Sequence, residues 1–362
     1  MNVELITVGN ELLVGEVIDA NSCWICAELT KLGFDVIANH IIRDYKKDII
    51  YTLDAALSRA NIVLITGNES SKIVLSQYFN SKLLGNIWFE KDDKVVISIP
   101  CVPTKMKSVM LNQVLFRLKN KFATSDILHK TVTVYGIPES ELIEKIDFWV
   151  KKLPGYIDVT YISEPGKVRI KLTGHGLSLD QLNVKFDRII DELNPIVGDF
   201  TTGIDHQHLN QLIGDLLIDK SMTIATAESC TGGNIAKVFT AVPGASAYFK
   251  GSVVAYDNSV KENVLGVSKL DLERYGAVSK PVVEQMALGV KNLLKTDWAI
   301  ATSGIAGPTG GTEEKPVGTV WIAWAGPNGV ESSKYQFGID RKCNIKASTE
   351  LGLFGIYKYL RI

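Results

Sequence analysis

The residues most able to do chemistry lie in the last third of the chain. SMTIATA (221–227) has the pattern of a buried strand and runs directly into ESCTGGNIAKVF (228–239), where Thr231, Gly232 and Gly233 form a turn that opens a helix. A strand, turn and helix in that order leave backbone N–H groups free at the helix start. Such a place can hold an anion or the oxyanion of an acyl-transfer intermediate, and a serine there is exposed for attack. Ser229 is that serine. Taken alone, the same motif also fits Glu228 and Ser229 as helix caps. A second cluster, YDNSVKENVLGV (256–267), reads as a short helix capped by Asn258 or Ser259 with Lys261 in its first turn. A lysine there opposes the helix dipole, which suits either a catalytic amine or a solvated side chain. The Gly- and Pro-rich stretch TSGIAGPTGG (302–311) follows the strand DWAIA and is suited to wrap a ligand with backbone groups. PVGTVWIAWA (316–325) is a strand entered by a tight turn, and Arg341 opens the last helix.

No histidine occurs from Leu209 to Ile362, so a Ser-His-Asp triad cannot be built within this segment. A nucleophilic Ser229 would pass its proton to lysine, to a carboxylate or to a group from elsewhere, and Ser-Lys pairs are a known solution. The lysine must then be desolvated or set near other cations, because its reference pKa of ~10.4 has to fall towards neutrality. Cys230 is the rival nucleophile. With no histidine and only Cys230 and Cys343 available, a zinc-activated hydrolase is disfavoured.

The elements that must position these groups repeat β-α-β alternation. VELITV, FDVIANHII, NIVLIT (61–66) and KVVISIP (94–100) read as strands. Helical patterns run through Trp24, Ile25, Leu29 and Leu32, from about Asp48 to Arg59, and from about Thr104 to Lys119. Residues 1–122 thus form an α/β domain with its sites at the strand ends. KTVTVYGI, YIDVTYI and KVRIKLTG as strands, with ELIEKIDFWVKKL and LDQLNVKFDRIIDEL as helices, make 123–200 a small α+β module. TTGIDHQH (201–208) reads as a polar linker, and 201–362 form a second α/β domain.

A chain of 362 residues, 46% hydrophobic and 22% charged with a net charge of -1, is long enough for two or three globular domains. No basic block suggests nucleic acid, no apolar run suggests a membrane span, and the first residues lack a secretory pattern, so a cytoplasmic protein acting on small molecules is expected. Five scattered cysteines suit reduced thiols. The Cys23–Cys26 C-x-x-C lacks the partners of a zinc site and reads as two small apolar residues on a helix after Asn21 rather than a redox pair.

The motifs AESCTGG (227–233), GSVVAYDNSVKENVLGV (251–267), GAVS (276–279), TSGIAGPTGG (302–311), KPVGTVWIA (315–323) and GIDR (338–341) resemble, in order, those of the CinA C-terminal domain, the nicotinamide mononucleotide deamidases. The resemblance implies a Ser/Lys amidohydrolase that needs no cofactor or metal. Ser229 would be the nucleophile and Lys261 the base, with Tyr256 assisting catalysis. Thr231, Gly232 and Gly233 would lie beside the nucleophile, and Asn258, Thr302, Ser303, Gly304 and Arg341 would hold the substrate, with Arg341 facing its phosphate.

ITVGNELLVGEVIDAN (6–21) resembles the opening of the MoaB/Mog-like domain of full-length CinA proteins, and GIPESELIEKI (136–146) with GKVRIKLTG (166–174) resembles their KH-like module. In the family a loop written GGLGPTxDDxT follows the third strand. TGNESSKIVLSQ (66–77) stands there here, the stretch onward to Lys94 is shortened, and Pro100, Cys101, Val102 and Pro103 replace PGPP. The family domain is credited with a metal-dependent ADP-ribose pyrophosphatase. Glu11 and Asp19 remain, but its divalent-metal site is expected to be absent and the domain inert, serving instead to pair subunits in a homodimer. A pyrophosphatase, or a non-catalytic competence or damage-response scaffold, are the competing readings.

Overall fold

The computed structural model describes residues 1–80, 87–91, 93–122, 127–204 and 208–361. Their packing divides them into two compact units, the first comprising Met1–His129, Gly155–Ile157 and Thr173–Asp187, the second the remainder. Among the described residues no helix is long and apolar enough to cross a membrane.

The first unit is built from β1 (Asn2–Val8), α1 (Asn10–Leu13), α2 (Ala20–Lys31), β2 (Asp35–Ile42), α3 (Lys46–Arg59), β3 (Ile62–Gly67), α4 (Glu69–Tyr78), β4 (Trp88–Lys91), β5 (Lys94–Pro100), α5 (Pro103–Val109) and α6 (Leu115–Lys121). The sheet order is β2-β1-β3-β5-β4, parallel except for β4 against β5. Side chains alternate across a strand, so Val3, Leu5, Leu64 and Ile97 join one apolar cluster with Ile25 and Leu29 of α2. Ile6, Val8, Val63 and Val96 join another with Ile49 and Leu53 of α3. Both faces of the sheet are therefore covered, as a parallel sheet requires. Helix α2 starts at Ala20, slightly before the position expected, because Asp19 caps it by accepting from Ser22 N at 3.0 Å. Cys26 packs partly buried against the α2-side cluster, and Cys23 is exposed.

The next elements are β6 (Leu128–Tyr135), α7 (Glu139–Val150), β7 (Ile157–Glu164), β8 (Lys167–Gly174), α8 (Leu179–Val197) and β9 (Thr201–Ile204), with strand order β7-β8-β6-β9. The linker expected at 201–208 is corrected here: Thr201–Ile204 form a strand pairing antiparallel with β6, so their backbone groups complete a ladder instead of facing water. Residues 205–207 of that stretch lie outside the described residues.

The second α/β sheet carries the chemistry-bearing motifs. Its elements are α9 (Leu209–Asp219), β10 (Ile224–Glu228), α10 (Asn234–Thr240), β11 (Phe249–Val254), α11 (Asn258–Asn263), α12 (Lys269–Tyr275), α13 (Lys280–Leu294), β12 (Trp298–Gly304), β13 (Thr319–Gly326), β14 (Gly329–Gln336) and α14 (Arg341–Arg361). The order is β11-β10-β12-β13-β14, with the first three strands parallel and the last two antiparallel. One face is paved with Ala225, Ala227, Ala299, Ala301, Ala323 and Ala325, neighbours across the ladder, and α13 lies on it through Val282, Val283, Met286, Ala287 and Val290. The small side chains let the helix approach closely. The other face buries Ile224, Ile300, Ile322 and Trp324 against α9, α10 and α14.

Candidate active site

The parallel register places Glu228, the last residue of β10, beside Val254 of β11 and Thr302 of β12. The three segments that leave these strand ends are the ones singled out above: the turn from Ser229, the segment carrying Tyr256 and Lys261, and the loop from Thr302. A site outside the carboxyl ends of parallel strands is the general rule for such sheets.

Ser229 donates its backbone N–H to Thr302 O at 3.0 Å, and its carbonyl accepts from Gly232 N at 3.1 Å, closing a tight turn. Gly232 and Gly233 adopt φ values of 59° and 93°, the left-handed region that glycine enters without steric cost. Ser229, expected to be exposed, is instead buried, with 9% of its surface accessible. Cys230, the adjacent thiol, is buried, and that burial pushes its pKa up to about 12, with a hydrogen bond to the Thr302 side chain pulling the other way. A thiol so raised is a poor nucleophile near neutral pH.

The free amides expected at the start of α10 are not free. The Glu228 carboxylate, fully buried, accepts from Gly233 N at 3.0 Å, Ile235 N at 3.0 Å and Ala236 N at 2.8 Å. It also accepts from the hydroxyls of Thr226 at 3.2 Å and Thr231 at 2.7 Å. Glu228 is thus the cap, and Ser229 is not. The amides of Cys230 and Thr231 are the ones in this turn that find no carbonyl partner among the described residues.

Lys261 is 1% exposed, so the solvated alternative does not hold. Its Nζ donates to Tyr256 O at 3.1 Å and forms no ion pair among the described residues. Burial lowers its pKa below the usual lysine range, opposed by the charge of Asp257. The expected cap is corrected: Asp257 accepts from Ser259 N at 2.8 Å and Ser259 Oγ at 2.6 Å, while Asn258 occupies the first helical position, exposed. An aspartate preceding the helix reaches its second amide better than a residue already inside it. In a helix of six residues Lys261 lies in the last turn as well as near the first, so the dipole opposes it less than expected.

Tyr256 is 63% exposed, and its hydroxyl accepts from Arg341 Nη2 at 3.2 Å, while Arg341 Nη1 donates to Gly307 O at 3.0 Å. Arg341 therefore bridges two of the motifs at the rim and keeps further N–H groups for a ligand. Thr302 and Ser303 are brought to the strand end but are buried. Thr302 Oγ1 lies 2.7 Å from Thr231 Oγ1, and Ser303 Oγ donates to Ala277 O at 2.7 Å, which ties in the GAVS segment. An added Cβ at Gly304 would lie 2.9 Å from Thr319 O, so this glycine serves close strand approach. Sequence reasoning missed Asn344, whose buried amide donates to Ala306 O at 3.0 Å and Gly338 O at 2.8 Å and so pins the loop. The Ser229 turn is bonded to Thr302 through its backbone, and Arg341 ties the loop that follows Thr302 to Tyr256, so these motifs lie at one strand end.

Two family profiles match the chain: the CinA C-terminal domain over residues 206–360 and a probable molybdopterin binding domain over residues 4–70. A CinA-like protein of Flavobacterium psychrophilum is 36% identical over 410 aligned positions that take in 99% of this chain and 98% of that protein. The chain belongs to the CinA family. A CinA-like protein of Cytophaga hutchinsonii is also 36% identical, over 95% of this chain and 94% of its own length. Among solved structures, a competence-damaged protein (CinA) superfamily protein from Klebsiella pneumoniae is 34% identical, covering 43% of this chain and 99% of its own, with a TM-score of 0.41. Neither profile reaches the segment between residues 70 and 206, so the likeness of its middle part to a KH module rests on sequence motifs alone.

The alignment with the Flavobacterium relative is longer than this 362-residue chain, so that CinA-like protein has residues with no counterpart here. The molybdopterin-binding match ends at residue 70, within the segment that replaces the family's Gly-rich loop. There α4 begins, and Ser70 Oγ and Asn68 Nδ2 both donate to Asp44, at 2.7 and 2.8 Å, filling the strand-end position with protein hydrogen bonds. Asp19 Oδ1 caps α2 while its Oδ2 is buried without a hydrogen-bond partner, and Glu11 is exposed. Among the described residues no three His, Cys, Asp or Glu side chains come together as metal ligands.

Proposed function

We propose that this chain hydrolyses the carboxamide of nicotinamide mononucleotide, giving nicotinate mononucleotide and ammonia, with Ser229 and Lys261 as the reacting pair. The observation that carries this reading is the state of Lys261: buried, held by one carbonyl and without a carboxylate partner. A neutral amine satisfies that setting, since its N–H can serve Tyr256 O while its lone pair stays available. Ser229 Oγ attacks the carboxamide carbon as Lys261 takes its proton. The unpartnered amides of Cys230 and Thr231 supply donors for the oxyanion. On collapse the C–N bond breaks and Lys261 returns the proton to the leaving nitrogen, releasing ammonia. Water, deprotonated by the same lysine, then cleaves the ester at Ser229. Arg341 and Tyr256 at the exposed rim suit the phosphate end of the nucleotide.

The N-terminal domain takes no part in this scheme, and we read it as lacking both metal and hydrolase chemistry. The test is ammonia release from nicotinamide mononucleotide by the full chain. Ser229→Ala should lose at least ~1,000-fold in turnover while Cys230→Ala keeps most of it. The opposite pattern would make Cys230 the nucleophile.

A further inference from the structure

We infer that Glu228 is a positioning residue for the nucleophile, acting through Thr231 and Thr302; this rests on the amidase reading above. A helix cap needs one or two amides, yet this buried carboxylate gathers three amides and two hydroxyls. Every one of those partners is a donor, which matches a carboxylate and no other side chain of that size. The hydroxyl chain then has a fixed direction. Thr231 spends its only hydroxyl proton on Glu228, so across the 2.7 Å contact it accepts, and Thr302 donates. Thr302 is also the residue whose carbonyl holds Ser229 N at 3.0 Å. Glu228 thereby ties the end of β10, the start of α10 and β12 into one closed ring of hydrogen bonds that holds the Ser229 turn. By taking the amides of Gly233, Ile235 and Ala236, it also leaves the amides of Cys230 and Thr231 as the ones in this turn without a carbonyl partner among the described residues.

A nucleophile displaced by about 1 Å costs on the order of 100-fold in rate, so the ring affects turnover more than binding. Glu228→Gln sets an amide group against donors that need an acceptor. It should lower kcat at least ~10-fold with KM within about twofold of wild type. The same factor should appear in the rate at which phenylmethanesulfonyl fluoride sulfonylates Ser229, read by mass spectrometry. That readout separates the two ideas: if wild type is labelled at Ser229 but does not turn over the nucleotide, the proposed substrate is wrong and Glu228 is still judged by labelling. If wild type shows neither labelling nor turnover, there is no activated serine to position and both fail. Should Glu228→Gln not fold, as judged by circular dichroism, Thr231→Val and Thr231→Ser decide. The valine variant should show the loss, and the serine variant, which keeps the hydroxyl link, should restore activity to within about threefold. Folded Glu228→Gln or Thr231→Val protein with kcat and labelling rate within twofold of wild type overturns the inference.

Discussion

Lys261 brings activity and stability into conflict within a single side chain. Burial lowers its pKa in the folded protein, so the unfolded chain binds the extra proton more readily. Stability therefore rises with pH between the lowered folded value and the ordinary lysine value, and protonation at lower pH burdens the fold. Lys261→Met should then melt at a higher temperature than wild type at pH 7 while losing at least ~100-fold in turnover; a melting temperature equal to or below wild type would show that the amine costs the fold nothing. Turnover by wild type should rise as pH climbs through the lowered pKa, since only the neutral amine accepts the Ser229 proton. Lys261→Arg should not rescue it, because guanidinium stays protonated. A rate flat from about pH 5 to 9 with chemistry limiting would place the base elsewhere. What sequence conveyed at this scale was residue type and order. It could not say that Lys261 is buried, which depends on which strands lie side by side, or that Glu228, weighed there only as a cap, gathers donors from its own strand and the following turn as well as from α10, which depends on how tightly that turn folds back.

At the scale of elements, the lysine is only as well placed as the strap that follows it. Val267 N donates to Lys261 O at 3.0 Å, and Leu265 of the same strap lies against Gly289 of α13. A Cβ on Gly289 would run into the Leu265 carbonyl, a backbone group that cannot swing aside. Gly289→Ala ought therefore to cost at least about 2 kcal/mol in denaturant unfolding, although alanine ordinarily favours a helix, and to lower turnover by moving α11. An unfolding midpoint equal to or above wild type would mean that the strap moves freely. Strands and long helices were legible because their apolar periods are strong: α14 begins at Arg341 as expected, and β5 spans the expected Lys94–Pro100. Strand β9 was not, since TTGI is short and polar and becomes a strand only by pairing with β6. Helix α4 likewise stands where the family pattern suggested a loop; its start is set by Asn68 accepting from the amides of Ser70 and Ser71.

For the whole molecule, the two α/β sheets answer differently to the same family likeness. The C-terminal match runs almost to the end of the domain, whereas the N-terminal match stops at residue 70, where Asp44, Asn68 and Ser70 bond to one another. ADP-ribose incubated with the full chain and magnesium, manganese or cobalt should accordingly show no hydrolysis above background, and ammonia release should be unchanged by chelator. Metal-dependent turnover that disappears in Glu11→Ala or Asp19→Ala would restore a function to the first domain.

Helix α14 carries one more implication, for anyone trimming or tagging the chain. It starts with Arg341 and Asn344 at the site and runs 21 residues to Arg361, a rod of ~30 Å whose far turns bury Phe354, Ile356, Tyr357 and Leu360. Those distant turns anchor the rod that holds the loop in place through Ala306 and Gly307. Deleting residues from Tyr357 onward leaves every residue assigned to the proposed site in place in the chain, yet it should act as a remote inhibitor. Proteolysis within the 302–311 loop should quicken and KM should rise by at least ~10-fold as Arg341 loses its footing.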